Sequence, residues 1–361
     1  MNKSQKGNEL ISALHGNAVL IEPISPVDQD PSQQTIFSNF TLESEDKQTR
    51  RVGINAKNIL DNLIKITGQS PVSIAGTIYI TDKGSQPHQL TKPSQLIAWI
   101  SQYAIVDWSK QSDGISKEEF LEYLKQCCMK YDAIETTPHF PPLPSTYYWY
   151  PPLPDFNGDH LNQLIDFFSP ETPLDRELIK AFILTLFWGG DAGKRPVFVF
   201  EGPEKDSEPS KNGRGCGKTT IVNCLSGLVG GSINFSSNDS FERIKTRLLS
   251  PKAMKIRIAF LDNLKTMRFS WAELEGLVSM PVISGHGMYE GEGRRPNSLV
   301  WVITTNGATL SKDMAQRCVI IRLKRPTHDA TWQLTVEAFI RDHRWAIISD
   351  IKHLLTINEE E

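Results

Sequence analysis

Five short apolar runs follow residue 195, with helical or polar stretches between them. The runs are VFVF (197–200), SINFS (232–236), IRIAFL (256–261), LVWVIT (299–304) and CVIIRL (318–323). Continuous apolar runs of this length are typical of strands buried on both faces of a parallel sheet. The stretches between them leave room for helical crossovers. The pattern therefore predicts an α/β fold with a five-stranded parallel sheet over residues 195–326.

The first half of the chain predicts a smaller α/β module over residues 46–136. Ala56, Ile59, Leu60 and Leu63 recur at helical spacing, and Gly68 suits the end of that helix. Further elements are a strand in GTIYITDKG (76–84), a helix in KPSQLIAWISQY (92–103) and a strand in AIVDW (104–108). SKEEFLEYLKQCCMKYDAI (116–134) begins with the S-x-x-E spacing of a capping box, which predicts a helix.

The remaining regions complete the predicted organisation. Residues 1–45 are polar and predict either a loose arm or the trimmed edge of a longer ancestral domain. Residues 137–156 are rich in proline and aromatic residues and predict a semi-rigid surface linker, with a partner-docking motif as the less favoured alternative. A helical lead-in is expected over 157–194, and a helical segment with an acidic end over 327–361.

Composition narrows the class of protein. The 361 residues carry a net charge of −3, with 39% hydrophobic and 22% charged residues, as in ordinary soluble proteins of two or three domains. A nucleic-acid partner would need a local basic patch. The longest apolar run (181–188) is too short to cross a bilayer, and the amino terminus lacks signal-peptide features. The five cysteines form no C-x-x-C pair. We therefore expect a cytoplasmic protein without a membrane partner, structural disulfide or zinc site.

The stretch NGRGCGKTT (212–220) matches the phosphate-loop pattern G-x-x-x-x-G-K-[ST] except at its first position. Asn212 stands there in place of glycine, and asparagine tolerates left-handed backbone angles better than most residues. The polar residues 203–211 separate the loop from the strand before it, and we expect them to form a surface insertion or a flap. The predicted nucleotide-binding residues are Asn212, Gly213, Arg214, Gly215, Cys216, Gly217, Lys218, Thr219 and Thr220.

The chemistry expected of this loop is triphosphate binding. Its glycines let the backbone aim N–H groups at phosphate oxygens, Lys218 reaches the β- and γ-phosphates, and Thr219 places its hydroxyl on Mg²⁺. The following apolar helix points its positive end at the same phosphates. The alternative is a glycine-rich turn that precedes a lysine by chance. The strand before the loop and the helix after it favour the nucleotide site.

A second half of the site is predicted at the end of IRIAFLDN (256–263). Asp262 follows a buried strand and is expected to hold the metal, although a turn aspartate is the alternative. Asn263 stands where many ATPases have a glutamate that deprotonates the attacking water, and an amide cannot take that proton. Either Glu273 or Glu275 substitutes, or hydrolysis is slow.

Two further polar residues complete the predicted catalytic set. Asn306 follows the strand LVWVIT and is expected to contact the γ-phosphate or the water, with Thr304 and Thr305 as weaker candidates. Arg317 precedes the last strand, where an arginine in a ring of subunits can reach a neighbour's nucleotide. The alternatives are a turn asparagine and a surface arginine.

The order of these motifs resembles an AAA+ ATPase core. FERIKTRLLSP, LDNLKTMRFSWAELEGLV, ISGHGMYEGEGRRPN and NGATLSKDMAQR look closest to the primase-helicase family of phages, plasmids and chromosomal cassettes. That family is related to superfamily 3 helicases. The part of it that this chain resembles is the C-terminal region of virulence-associated or poxvirus-type primases. The resemblance covers residues 155–350 and implies the ATPase half without the primase domain. It implies ATP and Mg²⁺ as cofactors, and the roles given above for Lys218, Thr219, Asp262, Asn306 and Arg317.

The resemblance also implies a DNA-contacting hairpin in the pore of a ring, formed by PVISGHGMYEGEGRRPNS (281–298). His286, Arg294 and Arg295 are candidates for phosphate contacts and Tyr289 for base stacking. The alternatives are a flexible surface loop, or an arginine that reaches a neighbour's nucleotide. A second basic tract is expected to face DNA or a partner, with a solvated helix face as the alternative; its residues are Arg243, Lys245, Arg247, Lys252, Lys255, Arg257, Lys265 and Arg268.

Taken together, the sequence predicts a ring-forming ATPase, hexameric by resemblance, that moves or remodels single-stranded or forked DNA in replication of, or defence against, mobile DNA. A replication or effector protein is a further expected partner. The alternative is a nucleotide-gated scaffold that hydrolyses little ATP and recruits an effector. A small-molecule kinase is less favoured, because it leaves Arg317 and the hairpin without a role.

Overall fold

The computed structural model describes residues 35–37, 40–45, 48–53, 56–68, 70–74, 76–80, 87–106, 108, 115–203, 215–250, 252–264, 270–287, 291–305, 310–325 and 331–357. The chain divides into two compact units. The first comprises Met1–Thr136 and Pro144–Pro152, and the second comprises Thr137–Leu143 and Leu153–Glu361. Within the described residues, no helix combines the length and the apolar character needed to cross a membrane.

The described part of the first unit contains short strands and three helices. The strands are β1 (Thr35–Phe37), β2 (Phe40–Glu45), β3 (Gln48–Gly53), β4 (Val72–Ile74), β5 (Thr77–Ile80), β6 (His88–Leu90), β7 (Ala104–Val106), β8 (Met129–Tyr131), β9 (Ala133–Glu135) and β10 (Thr146–Tyr148). The helices are α1 (Ala56–Thr67), α2 (Pro93–Ile100) and α3 (Lys117–Cys127). One sheet has the order β6-β5-β4-β8, and β1–β7, β2–β3 and β9–β10 pair separately.

The predicted helices and strands of this unit are present, but the helix predicted over 116–134 ends at Cys127, and the strands β8 and β9 occupy the rest of that stretch. Ser116 and Glu119 make the capping box of α3: the Glu119 amide donates to Ser116 Oγ at 3.2 Å, and the Ser116 amide donates to Glu119 Oε2 at 2.7 Å. Leu63, Ile78 and Phe120 are among the buried core residues. The predicted arm over 1–45 needs a correction, because β1 and β2 lie within it, and β2 pairs with β3 along its full length. Residues 1–34 lie outside the described part of the chain.

The second unit is an α/β structure. Its strands are β11 (Val197–Glu201), β12 (Ser232–Phe235), β13 (Ile258–Leu264), β14 (Val282–Gly287), β15 (Gly291–Pro296), β16 (Val300–Thr305) and β17 (Cys318–Arg322). Its helices are α4 (His160–Asp166), α5 (Pro173–Thr185), α6 (Lys218–Ser226), α7 (Phe241–Leu248), α8 (Trp271–Ser279), α9 (Lys312–Ala315) and α10 (Trp332–Thr356), and a 3₁₀ turn spans Gly227–Val229.

The five predicted strands form one all-parallel sheet in the order β12-β13-β16-β11-β17. Successive residues of β11 face opposite sides, as strand geometry requires. Phe198 and Phe200 join the cluster that contains residues of α4, α5, α6 and α10, whereas Val197 and Val199 join the cluster with residues of α7, α8 and α9. The fold-class prediction, a parallel sheet with helices on both faces, is confirmed.

The parallel arrangement positions the candidate site. In parallel sheets the carboxyl ends of all strands lie at one edge. Ligands bind at that edge, at the point in the sheet where the strand order reverses. The phosphate loop follows β11, Asp262 lies near the end of β13, and Thr304 lies near the end of β16. Phe200 pairs with Thr304, and Leu261 pairs with Ile303, so these ends are in register.

The segment 137–156 is more than the surface linker that its composition predicts. Phe140 is buried in the second unit, where its amide donates to the Phe187 carbonyl at 2.8 Å and its carbonyl accepts from the Gly189 amide at 3.0 Å. Tyr147 and Tyr148 are buried in the first unit, within β10. Backbone pairing with distant residues therefore incorporates the two parts of this segment into two different cores.

A buried arginine holds the first part of this segment. Arg257 is 3% exposed, and its guanidinium donates to the carbonyls of Pro138 at 2.9 Å, Leu186 at 3.1 Å and Thr137. Neighbouring His139 is also buried, and burial, reinforced by the charges of Arg257 and Arg195, lowers the pKa of its imidazole well below the ordinary value. Arg257 is therefore structural, which corrects its assignment to a tract that faces DNA, a partner or solvent.

We expect Arg257→Met to lower the free energy of unfolding by about 3 kcal/mol or more, because it leaves three buried carbonyls without their donor. Urea denaturation followed by circular dichroism measures this loss. The matched control is Arg341→Met, which removes a cation whose side chain is 71% exposed and should change stability by less than about 0.5 kcal/mol. A loss at Arg257 no larger than that of the control would contradict the structural role.

Candidate nucleotide site

The described part of the phosphate loop ends where α6 begins. Gly215 and Gly217 have φ angles of 78° and 76°, in the left-handed region that glycine adopts without strain. Gly217 is the N-cap of α6, and its carbonyl accepts from the Ile221 amide at 2.8 Å. The first amides of a helix attract phosphate, so this end of α6 is suited to an anion. The predicted residues Asn212, Gly213 and Arg214 lie outside the described residues.

The first turn of α6 contacts the strand that carries the predicted metal ligand. Thr219 Oγ1 donates to Asp262 Oδ1 at 2.8 Å, although the two residues are 43 positions apart in the sequence. Lys218, one residue earlier, is 8% exposed, and Thr220, one residue later, is half-buried. The structure therefore brings together two of the residues predicted to handle the phosphates and the metal.

This pair fits a magnesium ion by its donor chemistry. Mg²⁺ prefers oxygen ligands and is usually bound by one or two protein oxygens together with phosphate oxygens and water. The hydroxyl of Thr219 and the carboxylate of Asp262 supply such oxygens at hydrogen-bond distance. When bound there, the ion would neutralise charge on the phosphates of a nucleotide. Thr219 and Asp262 are thus the residues that would hold it.

Thr304 contributes a second hydroxyl to the same carboxylate. Thr304 Oγ1 donates to Asp262 Oδ1 at 2.6 Å, and the side chain is 1% exposed on the central strand β16. The hydroxyl proton of Thr304 is therefore donated to Asp262 and is not available to a phosphate oxygen. This corrects the prediction of Thr304 as a candidate phosphate contact. Thr305 is equally buried and donates to the Leu264 carbonyl at 3.3 Å, which corrects the same prediction for it.

Asn263 follows Asp262 in an unusual backbone conformation. Its φ angle is 52°, which few residues other than glycine adopt, and its side chain is exposed. The Asn263 amide donates to Thr304 Oγ1 at 2.7 Å. An exposed carboxamide can hold a water molecule but cannot accept its proton. Asn263 therefore cannot replace the general base that an acidic residue would supply at this position.

The two glutamates predicted as substitute bases are engaged elsewhere. Glu273 caps α8: its carboxylate accepts from the Ser270 amide at 2.6 Å, and its own amide donates to Ser270 Oγ at 3.2 Å. Glu275 accepts from the Ser311 hydroxyl at 2.7 Å. Both carboxylates therefore accept hydrogen bonds within the fold, Glu273 at a helix cap and Glu275 from a residue 36 positions away, which corrects that expectation. Asn306, the predicted sensor, lies outside the described residues.

Glu201 is an acid near the site that the sequence motifs do not identify. It ends β11, pairs with Arg322 of β17, and is half-buried. Burial raises the pKa of its carboxyl, against the opposing charges of Arg322 and Lys218. The strand–loop pattern itself contained the signal, because the last residue of the strand before a phosphate loop lies at the carboxyl edge of the sheet.

An aromatic residue lies against the phosphate loop. A methyl group on Gly217 would come within 3.8 Å of the Trp332 ring, and Trp332 Nε1 donates to the Phe167 carbonyl at 2.8 Å. A narrow crevice of about 10 Å³ lies beside the loop, which is room for one water molecule. Its lining residues are Phe168, Ser169, Cys216, Gly217, Ile221, Leu323 and Trp332. A nucleobase entering here would have to displace the indole.

Arg317 lies at the opposite edge of the sheet from Asp262. It is exposed, it immediately precedes β17, and its carbonyl accepts from the amide of Val197 at the start of β11. A strand rises about 3.3 Å per residue, so five residues separate Arg317 from the carboxyl edge by roughly 15 Å. This is farther than an arginine side chain extends. Arg317 therefore does not reach the nucleotide site of its own chain.

The predicted hairpin is present. β14 and β15 pair in antiparallel register from Val282 with Pro296 to Gly287 with Gly291. Gly285 pairs with Gly293, and a methyl group on either would come within 3.4 Å or less of Leu249. Glycine at both positions thus allows the close approach of the segment that follows α7. Arg294 is exposed.

The other predicted DNA contacts have different outcomes. Arg295 is 3% exposed, and its guanidinium donates to the carbonyls of Leu248 at 3.2 Å, Ala253 at 2.8 Å and Ile256 at 3.1 Å. It is therefore a structural residue and not a phosphate contact, which corrects the prediction. His286 contributes backbone to β14, but its side chain lies outside the described part of the chain, as does all of Tyr289.

Comparisons with known proteins give distant structural matches. No protein-family model and no curated protein matches the chain. The apo A form of the NrS-1 C-terminal region is 11% identical, with 81% of this chain and 68% of that chain covered and a TM-score of 0.48. A second apo structure of that region (305–718) has the same identity and coverage and a TM-score of 0.49. An inhibitor-bound JCV helicase is 14% identical, with 55% and 53% covered and a TM-score of 0.35. TM-scores below 0.5 are too low to assign a function from these likenesses.

The burial of Glu201 predicts a pH-dependent effect of Glu201→Gln. A raised pKa means that the ionised carboxylate destabilises the folded state above that pKa, and that this penalty disappears as the pH falls towards the ordinary value of 4.5. Glutamine never ionises. We therefore expect the variant to have a higher urea midpoint than wild type at pH 8, with the difference shrinking as the pH is lowered to 5. Glu177→Gln, at an exposed carboxylate, is the control and should change the midpoint little. A Glu201→Gln difference that grows towards acid pH would contradict the assignment.

Proposed function

We propose that this protein is an ATPase that binds ATP with Mg²⁺ at the carboxyl edge of its parallel sheet. The observation that carries the proposal is the hydrogen bond between Thr219, in the first turn after the phosphate loop, and Asp262, at the end of a neighbouring strand. A glycine-rich turn that arises by chance has no reason to place its threonine on a strand-end carboxylate. On this proposal Lys218, the residue before Thr219, contacts the phosphates.

We further propose that ATP is completed by a second subunit, so that hydrolysis requires a ring, with the hexamer as our expectation. Support comes from Arg317, which is exposed and lies roughly 15 Å of strand away from the site of its own chain. An arginine from a neighbour can stabilise the charge that develops on the transferred phosphate. Asn306 remains our candidate for contact with the γ-phosphate or the attacking water.

The proposed substrate of the motor is single-stranded or forked DNA. Support comes from the β14–β15 hairpin, which presents the exposed guanidinium of Arg294. His286 and Tyr289 remain proposed contributors to phosphate contact and base stacking, as their positions in or beside the hairpin suggest. We place the protein, on this proposal, in replication of or defence against mobile DNA, together with a replication or effector protein.

One observation favours a second candidate, a nucleotide-gated scaffold. Asn263 cannot act as a general base, and Glu273 and Glu275 are both engaged in hydrogen bonds within the fold. A chain of this kind can assemble on ATP and turn it over slowly. DNA-stimulated hydrolysis of many cycles per minute would exclude the scaffold, whereas ATP-dependent oligomers with negligible turnover would support it.

The decisive experiment is ATP binding and hydrolysis by wild type and Lys218→Ala. We expect the variant to bind a fluorescent ATP analogue about 10- to 100-fold more weakly, because it loses a charge-assisted contact with the phosphates. The variant should also lose any hydrolysis that single-stranded DNA stimulates. Lys352→Ala removes an exposed lysine of α10, outside every predicted nucleotide or DNA surface, and should behave as wild type. Equal binding by wild type and Lys218→Ala would overturn the proposal.

Two adjacent arginines provide the test of the DNA surface. Arg294→Ala should weaken single-stranded DNA binding and reduce the salt dependence of log K by about one unit, with no change in thermal stability. Arg295→Ala should lower the melting temperature, because three carbonyls lose their donor, while its folded fraction binds DNA as wild type does. Fluorescence anisotropy at several salt concentrations and thermal melts separate the two effects. If Arg294→Ala binds DNA with the wild-type salt dependence, the hairpin is not the DNA surface.

A further inference from the structure

The backbone at Asp262 contains an irregularity that the motif itself does not require. Leu261 pairs with Ile303 and Leu264 pairs with Thr305, so β13 has one more residue than β16 over the same span. Such a bulge re-aims side chains and is frequent beside active sites. The extra residue is accommodated where Asn263 adopts its left-handed φ of 52°. Conformations of this kind persist only where surrounding contacts hold them.

The contact that holds this bulge is the hydroxyl of Thr304. It accepts from the Asn263 amide at 2.7 Å and donates to Asp262 Oδ1 at 2.6 Å. A backbone amide can only donate, so the single hydroxyl proton must point to the carboxylate. One side chain thus fixes both the backbone after Asp262 and the orientation of its carboxylate.

Thr304 makes this contact from the interior of the sheet. Its side chain is 1% exposed, and its backbone lies in β16, between β13 and β11, where it pairs with Phe200. Thr219 donates to the same Oδ1 at 2.8 Å. With two hydroxyl donors on Oδ1, and no hydrogen-bond donor to Oδ2 among the described residues, Oδ2 is the carboxylate oxygen left to bind a cation.

We propose that Thr304 is a positioning residue that presents the Asp262 carboxylate to Mg²⁺ and holds Asn263 in its left-handed conformation. The inference rests on the proposed function, because it concerns the metal of the same nucleotide site. It assigns Thr304 a role through Asp262 and not a contact with phosphate. Groups that orient a metal ligand from behind typically change metal affinity about 10- to 100-fold when they are removed.

The test is the Mg²⁺ concentration needed for half-maximal tightening of ATP binding, measured with a fluorescent ATP analogue. Thr304→Val removes the hydroxyl and keeps the shape of the side chain. We expect it to raise this concentration about 10-fold or more, with binding in EDTA unchanged. Thr304→Ser keeps the hydroxyl and should remain near the wild-type value. The turnover number with ATP and Mg²⁺ should fall in the valine variant and recover in the serine variant.

The matched control is Thr305→Val. Thr305 is equally buried, is the next residue in the same strand, and donates to a backbone carbonyl instead of Asp262. It should cost stability without changing the Mg²⁺ dependence. If Thr304→Val does not fold, Thr304→Cys, whose thiol is a weak hydrogen-bonding group of similar size, carries the same expectation.

Two outcomes overturn the proposal. One is a folded Thr304→Val protein with the wild-type Mg²⁺ dependence, and the other is a serine variant as impaired as the valine variant, which would indicate packing and not the hydroxyl. Failure of the proposed function looks different, because wild type itself would then show no Mg²⁺-dependent binding of ATP.

Discussion

Three elements of the second unit meet at a single oxygen atom. Asp262 Oδ1 accepts from Thr219 at the start of α6 and from Thr304 in the central strand. This convergence depends on the parallel register of the sheet, which brings the ends of β11, β13 and β16 to one edge. In an antiparallel sheet the neighbouring strand would end at the opposite edge. The direction of the strands is therefore the constraint on which the candidate site depends.

The sequence was most informative where the local pattern has a local cause. The five apolar runs predicted the sheet because strands buried on both faces need apolar residues at every position. The Ser116–Glu119 spacing predicted the start of α3 because the two residues cap each other within one helical turn. The phosphate-loop glycines were likewise predictable, because Gly215 and Gly217 adopt backbone angles that favour glycine.

The sequence was least informative where residues far away in the chain determine the environment of a side chain. Arg294 and Arg295 are the same residue type, and alternation along a strand indicates only that their side chains face opposite sides of the hairpin. It does not indicate which of the two is buried. The carbonyls that accept hydrogen bonds from the buried Arg295 belong to residues between 248 and 256, and no sequence pattern near position 295 indicates this contact. Arg257 and the segment 137–156 were misjudged for the same reason. Asn212, Tyr289 and Asn306 lie outside the described residues, so their roles stay predictions.

The path of the chain through residues 137–152 has a practical consequence for dissecting the molecule. The polypeptide passes from the first unit to the second after Thr136, returns after Leu143, and leaves again after Pro152. A fragment that ends at 136 lacks β10, the partner of β9, and one that starts at 153 removes two of the three carbonyls that hold Arg257. No single cut yields both units intact, so protease digestion or a truncation series should release, at best, one folded piece at a time.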